Sequence, residues 1–295
     1  MTNKALLKVI VPLVLLLVVG FLTDTRAVWA RLQAVNLAWF AAAIATFTAL
    51  TALMARRWQL VAQTYALDLP YRRALREYYL AQLWNQLLPG GVAGDAARAV
   101  RLRHEGDLKR AAGSVVQERL LGQLALFMLL LVGFAGAFLW PGGLPWPPLA
   151  GWAFWAAIAC CAFIVALQGR GGSIIGFLQQ TGRLAVMPAQ VALGVLITAL
   201  LIFSFYACAA ASGTFIPVPA LATLIPLILT AMLIPLSVGG WGWREGAAAA
   251  LFPIIGAAPS AGVAAGVTYG VAMLLASAPA LLLLVLPGET TSDAE

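Results

Sequence analysis

Apolar blocks of about 20 residues recur along this chain, and they fix the solvent in which it folds. A helix of that length, rising 1.5 Å per residue, crosses the roughly 30 Å hydrocarbon core of a bilayer. Inside hydrocarbon only helices and closed barrels satisfy their own backbone. The blocks cover residues 5–22, 37–55, 114–140, 149–167, 187–211 and 262–286. An interrupted pair occupies residues 220–238 and 244–255, and a shorter apolar island occupies 78–88. Composition agrees: 62% of residues are hydrophobic, only 10% are charged, and mean hydropathy is +0.93. A soluble domain carries about a quarter charged residues. The expected fold is therefore an all-α polytopic membrane protein, a single integral membrane domain over residues 1–288 with a short polar tail at 289–295.

The first block, 5–22, has a competing reading as a signal peptide, with Val28 and Ala30 offering a cleavage site. Its apolar core exceeds the usual 7–15 residues or so of such peptides, which favours a retained span. Cys160, Cys161 and Cys208 all lie in apolar stretches and read as small buried hydrophobes. The single histidine, His104, sits in a basic loop, so no histidine-based metal or nucleophile site is expected.

Cations set the orientation. Residues 56–110 carry ten Lys and Arg, and 168–183 carry two, whereas 141–148 and 213–219 carry none. By the positive-inside rule the N-terminus, the long basic loop and the 168–186 loop face the cytoplasm of a bacterial inner membrane. The net charge of +7 then reflects loops against anionic lipid headgroups rather than a nucleic-acid partner.

Two segments break the apolar pattern in the same way. The 78–88 island runs into Trp84-Asn85-Gln86-Leu87-Leu88-Pro89-Gly90-Gly91-Val92-Ala93-Gly94-Asp95 and then Arg98. The later segment runs Ile234-Pro235-Leu236-Ser237-Val238-Gly239-Gly240-Trp241-Gly242-Trp243-Arg244-Glu245-Gly246. Each gives proline, paired glycines, a further glycine, then charged residues opening a new helix. The first reads as a re-entrant hairpin over 78–98, the alternative being an interfacial helix and surface loop. The second reads as a re-entrant segment over 220–255, the alternative being an external loop between two full spans. Residues 244–255 are too short for that alternative.

About six spanning helices plus two broken hairpins then divide into an inverted repeat. Its first half is 1–140 and its second 149–286, with the broken helices meeting near the bilayer midplane. A helix resuming after such a break presents free N–H groups and a positive dipole end, which favour anions. Asp95 and Glu245 sit in those first turns, where simple capping explains them as well as function does. Arg98 and Arg244 suit bidentate phosphate binding. Glu118 and Arg119 open the third span; either both lie at the interface with Arg119 snorkelling, or one reaches the hairpin, as Glu118 to Arg98. The substrate-binding candidates are Asn85, Gly90, Gly91, Asp95, Arg98, Glu118, Arg119, Gly239, Gly240, Trp241, Arg244 and Glu245. No catalytic residue, metal or cofactor is expected.

These motifs, Asn85-Gln86-Leu87-Leu88-Pro89-Gly90-Gly91 with Gly94-Asp95 and Arg98, and Gly239-Gly240-Trp241-Gly242-Trp243-Arg244-Glu245-Gly246, resemble the lysylphosphatidylglycerol synthase transmembrane family. This is the flippase-like membrane domain of multiple peptide resistance factors and of stand-alone proteins. The family often has another small residue and a Glu where this chain has Gly91 and Asp95. The resemblance implies movement of a phospholipid or isoprenoid lipid between leaflets. The chain stops at Glu295, so the tRNA-dependent synthase domain of the fused relatives is not expected here, nor is enzyme activity. The implied partners are membrane lipids with a charged headgroup and a lipid synthase or glycosyltransferase. The alternative is a membrane subunit or scaffold of an enzyme that makes aminoacyl-lipid or glycolipid.

Overall fold

Asn36 begins the first long helix by accepting the backbone N–H of Ala38 at 3.0 Å and of Trp39 at 3.2 Å, donors that a helix start otherwise leaves unpaired. Its own backbone N–H donates to Ala211 at 2.9 Å, tying the start of that helix to the end of another far along the chain. The computed structural model describes residues 20–21, 23–88, 91–139, 144–147, 151, 155, 173–234 and 238–285. Every element assigned there is a helix: α1 (Thr25–Gln33), α2 (Leu37–Thr64), α3 (Tyr71–Leu87), α4 (Ala93–Leu102), α5 (Leu108–Leu139), α6 (Ser173–Ala185), α7 (Pro188–Ala211), α8 (Val218–Leu221), α9 (Leu224–Ala231), α10 (Trp243–Leu251), α11 (Pro259–Ala276) and α12 (Pro279–Val285), with short 3₁₀ turns at Arg103–Glu105 and Phe252–Ile255. Among the described residues, α2, α5, α7 and the stretch Pro259–Leu284 are long and apolar enough to cross a membrane.

Several boundaries differ from the sequence expectation. The second block does not stop at Arg56–Arg57; α2 continues to Thr64, with Arg57 and Trp58 buried inside it. The 78–88 island is the C-terminal part of a longer helix that begins at Tyr71. Residues 220–238 are not one helix. Helix α8 ends at Leu221 and α9 at Ala231, with Pro219 and Pro226 each removing a backbone donor. The final block is divided at Ser277 and Ala278 before Pro279. The expected first span (apart from Gly20 and Phe21), most of the fourth span, Cys160, Cys161, Gly90 and the tail lie outside the described residues.

The central packing is of α2 on α7, with α11 against both, and Phe47, Phe205, Ile228, Phe252 and Tyr269 buried between them. Small residues let these helices close. Gly262, Gly266 and Gly270 lie one turn apart on the face of α11 turned to α10. A methyl at Gly262 would come within 2.3 Å of the Ala248 carbonyl oxygen. A second cluster joins the C-terminal half of α2 to α3, α4 and the start of α5 through Trp58, Leu69, Ala74, Tyr78, Ala99, Leu102 and Val115. There Gly94 brings α4 onto α3 so closely that an added Cβ would sit 2.0 Å from the Ala81 carbonyl oxygen. Arg98 of the first break packs against Trp58 and Tyr78 of this second cluster, and Arg244 of the second break against Tyr269 of the central one.

A candidate polar site at the two helix breaks

At the first break, Asn85 near the end of α3 fastens the start of α4. Its Oδ1 accepts the Gly94 N–H at 2.7 Å, and its Nδ2 donates to Asp95 Oδ2 at 3.3 Å. Gly91 turns the chain with φ of +63°, a conformation open to glycine but strained for residues with a Cβ. Asp95 does not cap its helix. Its carboxylate instead receives Arg119 Nη2 at 2.6 Å and lies 3.0 Å from Arg98 Nε. That last contact is electrostatic only, because the Arg98 Nε–H does not point along it and has no hydrogen-bond partner.

Beneath this rim lies the deeper carboxylate. Glu118, fully buried on α5, accepts Arg57 Nη2 at 2.6 Å and Nε at 3.1 Å on one oxygen. Its other oxygen accepts Arg98 Nη2 at 2.9 Å, and the Tyr78 hydroxyl bridges both oxygens at 3.1–3.2 Å. The Arg98 guanidinium, also fully buried, is held between the Trp58 and Tyr78 rings, each centroid 4.6 Å away. Desolvated cation–π contacts of this kind contribute up to about 2 kcal/mol each. Glu118 thus reaches Arg98, as one of the two sequence readings had it. Arg119 keeps its side chain 45% exposed while its tip pairs with Asp95, a pairing the sequence reading did not foresee. The helix geometry explains the split, since neighbours about 100° apart on α5 serve different partners.

The second break needs three glycines with positive φ, Gly239 at +57°, Gly240 at +82° and Gly242 at +85°. Glu245 caps α10, its Oε2 accepting the Gly242 N–H at 2.6 Å, so the capping reading holds here. Its other oxygen accepts Arg244 Nε at 2.9 Å and Nη2 at 2.5 Å. Arg244 is enclosed by the Trp241 and Tyr269 rings, with centroids at 4.9 and 5.3 Å. Both arginines therefore occupy aromatic clamps. Gly270 makes the second clamp possible, because a Cβ there would lie 2.4 Å from Arg244 Nη2 and 2.7 Å from Trp241.

The breaks touch. A Cβ on Gly239 would lie 3.2 Å from the backbone oxygen of Gln86 and 3.3 Å from its Oε1, and Gln86 follows the Asn85 that holds Asp95. Asn85, Asp95, Arg98, Glu118 and Arg119 thus form one linked cluster, and Arg244 and Glu245 with Trp241 a second. Gly239 abuts the first cluster's helix, and Gly240 lies against Met232. No direct ion pair joins the two clusters among the described residues. Among those residues, too, no group of three or more His, Cys, Asp or Glu side chains is arranged to hold a metal ion.

Sequence reasoning missed Arg57, Tyr78, Tyr269 and Gln86. Arg56–Arg57 looked like the end of a span, and nothing local ties Arg57 to a carboxylate 61 positions away. The signal that was available is the apolar sequence resuming around Trp58 and Val61. It shows a helix carrying a cation inward rather than ending at it.

Several buried donors in this region have no partner: Arg57 Nη1, Arg98 Nη1, Arg244 Nη1, Gln86 Nε2 and Trp243 Nε1. An unsatisfied buried polar group costs about 1–3 kcal/mol, more when charged. Native structures keep few such groups, and each calls for an explanation.

The fold and the site together define a polytopic helical membrane protein whose ionisable residues are gathered at broken helices inside the bundle. Residues 8–280 match the model of the lysylphosphatidylglycerol synthase TM region, and the chain belongs to that family of membrane proteins related to lipid handling. No protein of curated function matches it.

Proposed function

We propose that this protein translocates a phospholipid or isoprenoid lipid between the leaflets of a bacterial inner membrane, without making or breaking a bond. The observation that carries the reading is the meeting of the two breaks, Gly239 on Gln86. Each break contributes a fully buried arginine with an unpaired N–H. A charge inside the bilayer region is expensive and persists where it faces a partner or a pathway. The clamped arginines would receive the headgroup while the acyl chains stay among the exposed apolar faces of α5 and α7.

The packing is consistent with two inverted halves, each a span, a broken re-entrant pair and a second span. Helix α4 packs on α5 as α10 packs on α11; α2 meets α5 as α7 meets α11; and α2 meets α11 as α5 meets α7. Equivalent spans α2 and α7 would then face each other across the pseudo-axis, the arrangement that rocks about a central site in alternating access. The first site is closed in this state, with Glu118 and Arg98 fully buried. Arg119, half exposed and joined to Asp95 by one ion pair, is the side chain free to swing away and admit the headgroup.

Reconstitution in liposomes carrying a fluorescent lipid, with chemical quenching of the outer leaflet, tests this. Arg244→Ala removes a charge-assisted contact of about 1.5–3 kcal/mol and slows exchange on the order of tenfold or more. A folded Arg244→Ala protein that exchanges lipid at the wild-type rate would sink the assigned role.

A further inference from the structure

Resting on that reading, we infer that the first break takes a net-anionic phosphate headgroup and rejects a headgroup carrying an ammonium, the aminoacylated lipid of the family's name included. The charge of the cluster points this way. Among the described residues, Arg57, Arg98 and Arg119 face only Asp95 and Glu118; three cations against two anions leave +1. The nearby Arg101–Glu77 pair is neutral. The excess sits on Arg119, 45% exposed at the edge of the cluster, and one phosphate monoanion drawn to it brings the cluster to neutrality without unbalancing the buried pairs.

The hydrogen-bonding inventory points the same way. Among the described residues, every unpaired side-chain atom buried at the two breaks is a donor: Arg57 Nη1, Gln86 Nε2, Arg98 Nε and Nη1, Trp243 Nε1 and Arg244 Nη1. Guanidinium and amide N–H groups have nothing to offer an ammonium, which only donates. They suit phosphate oxygens, which only accept.

The acceptors that would recognise an ammonium are already in use. Both oxygens of Glu118 take guanidinium donors and the Tyr78 hydroxyl. Asp95 is held by Arg119 and Asn85. Glu245 is divided between Arg244 and the Gly242 amide. An arriving ammonium would have to displace an arginine from its carboxylate and would raise the buried charge further.

Lipid binding is read separately from lipid movement. The purified full-length protein is offered equimolar phosphatidylglycerol and lysylphosphatidylglycerol in detergent, and retained lipid is quantified by native mass spectrometry. A third arm adds millimolar inorganic phosphate to the lipid mixture. The expected result is retention of phosphatidylglycerol over its lysyl ester by on the order of tenfold. Arg57→Gln, which removes the cluster's excess charge, is expected to erase most of that preference. Competition by inorganic phosphate alone supports the anion site and identifies the phosphate group as the recognised part. Equal or preferential retention of the lysyl ester overturns the inference, even if the protein still exchanges lipid between leaflets. A folded Arg57→Gln protein that keeps the full preference also overturns it. Should Arg57→Gln not fold, the two-lipid comparison on the unaltered protein decides. Loss of translocation with an intact anionic preference would count against the transport reading alone.

Discussion

Replacing Glu118 by leucine removes the one carboxylate that neutralises two buried guanidiniums. Glu118 holds Arg57 Nη2 at 2.6 Å and Arg98 Nη2 at 2.9 Å, with the carboxylate fully buried. With three cations and two anions in the native cluster, Glu118→Leu raises the excess from +1 to +2. Breaking a buried pair in this way destabilises by about 3–5 kcal/mol, because the surviving charge is left uncompensated. Against a typical folding free energy of about 5–15 kcal/mol, that is a large fraction. The companion change Arg57→Met removes the cation that loses its partner. The double variant keeps Arg98 and Arg119 against Asp95, an excess of +1 as in the native protein. It is therefore expected to be more stable than Glu118→Leu alone, with a coupling energy of at least about 2 kcal/mol. The measurement is a double-mutant cycle by reversible unfolding with SDS in mixed micelles, followed by tryptophan fluorescence and far-UV circular dichroism. Two results refute the reasoning: Glu118→Leu within about 0.5 kcal/mol of the native protein, the range of an ordinary surface change, or a double variant whose loss equals the sum of the singles.

Steric tests follow from the glycines. Gly270→Val pushes a side chain into Arg244 and Trp241, where even a Cβ would lie at 2.4 and 2.7 Å. It should destabilise by about 1–3 kcal/mol and abolish lipid exchange, read by unfolding and by the liposome assay. Gly94→Ala places a Cβ 2.0 Å from the Ala81 backbone, which no side-chain rotation relieves, so α4 must separate from α3. A marked fall in folded yield on gel filtration is expected. Gly136→Ala is the control: nothing lies within 4 Å of its added Cβ on α5, and it should be neutral or stabilising by about 0.5–1 kcal/mol.

The membrane character, the long helices α5 and α7 and the two glycine breaks were all legible along the chain. Each depends on properties that accumulate over neighbouring residues: hydropathy over a span, proline and glycine at a turn. The Glu118–Arg98 contact was legible as one of two readings, because a charge one turn inside an apolar helix needs a partner and the nearest cation in the hairpin is Arg98. Helix ends were less legible. Arg56–Arg57 resembles a terminus when the pair is read alone, yet α2 runs on to Thr64, as the apolar residues resuming at Trp58 and Val61 allow.

By itself, then, the sequence determined the solvent, the helical class and the place of the breaks, since the bilayer leaves the backbone no other way to satisfy its hydrogen bonds. Only the tertiary structure decided what each buried charge faces. Arg57 found Glu118 across 61 positions, Arg98 and Arg244 each found two aromatic rings, and Gly239 came to rest on Gln86. Coulombic, cation–π and steric terms depend on distance in space, and in a helical bundle that distance is set by which faces pack, not by separation along the chain.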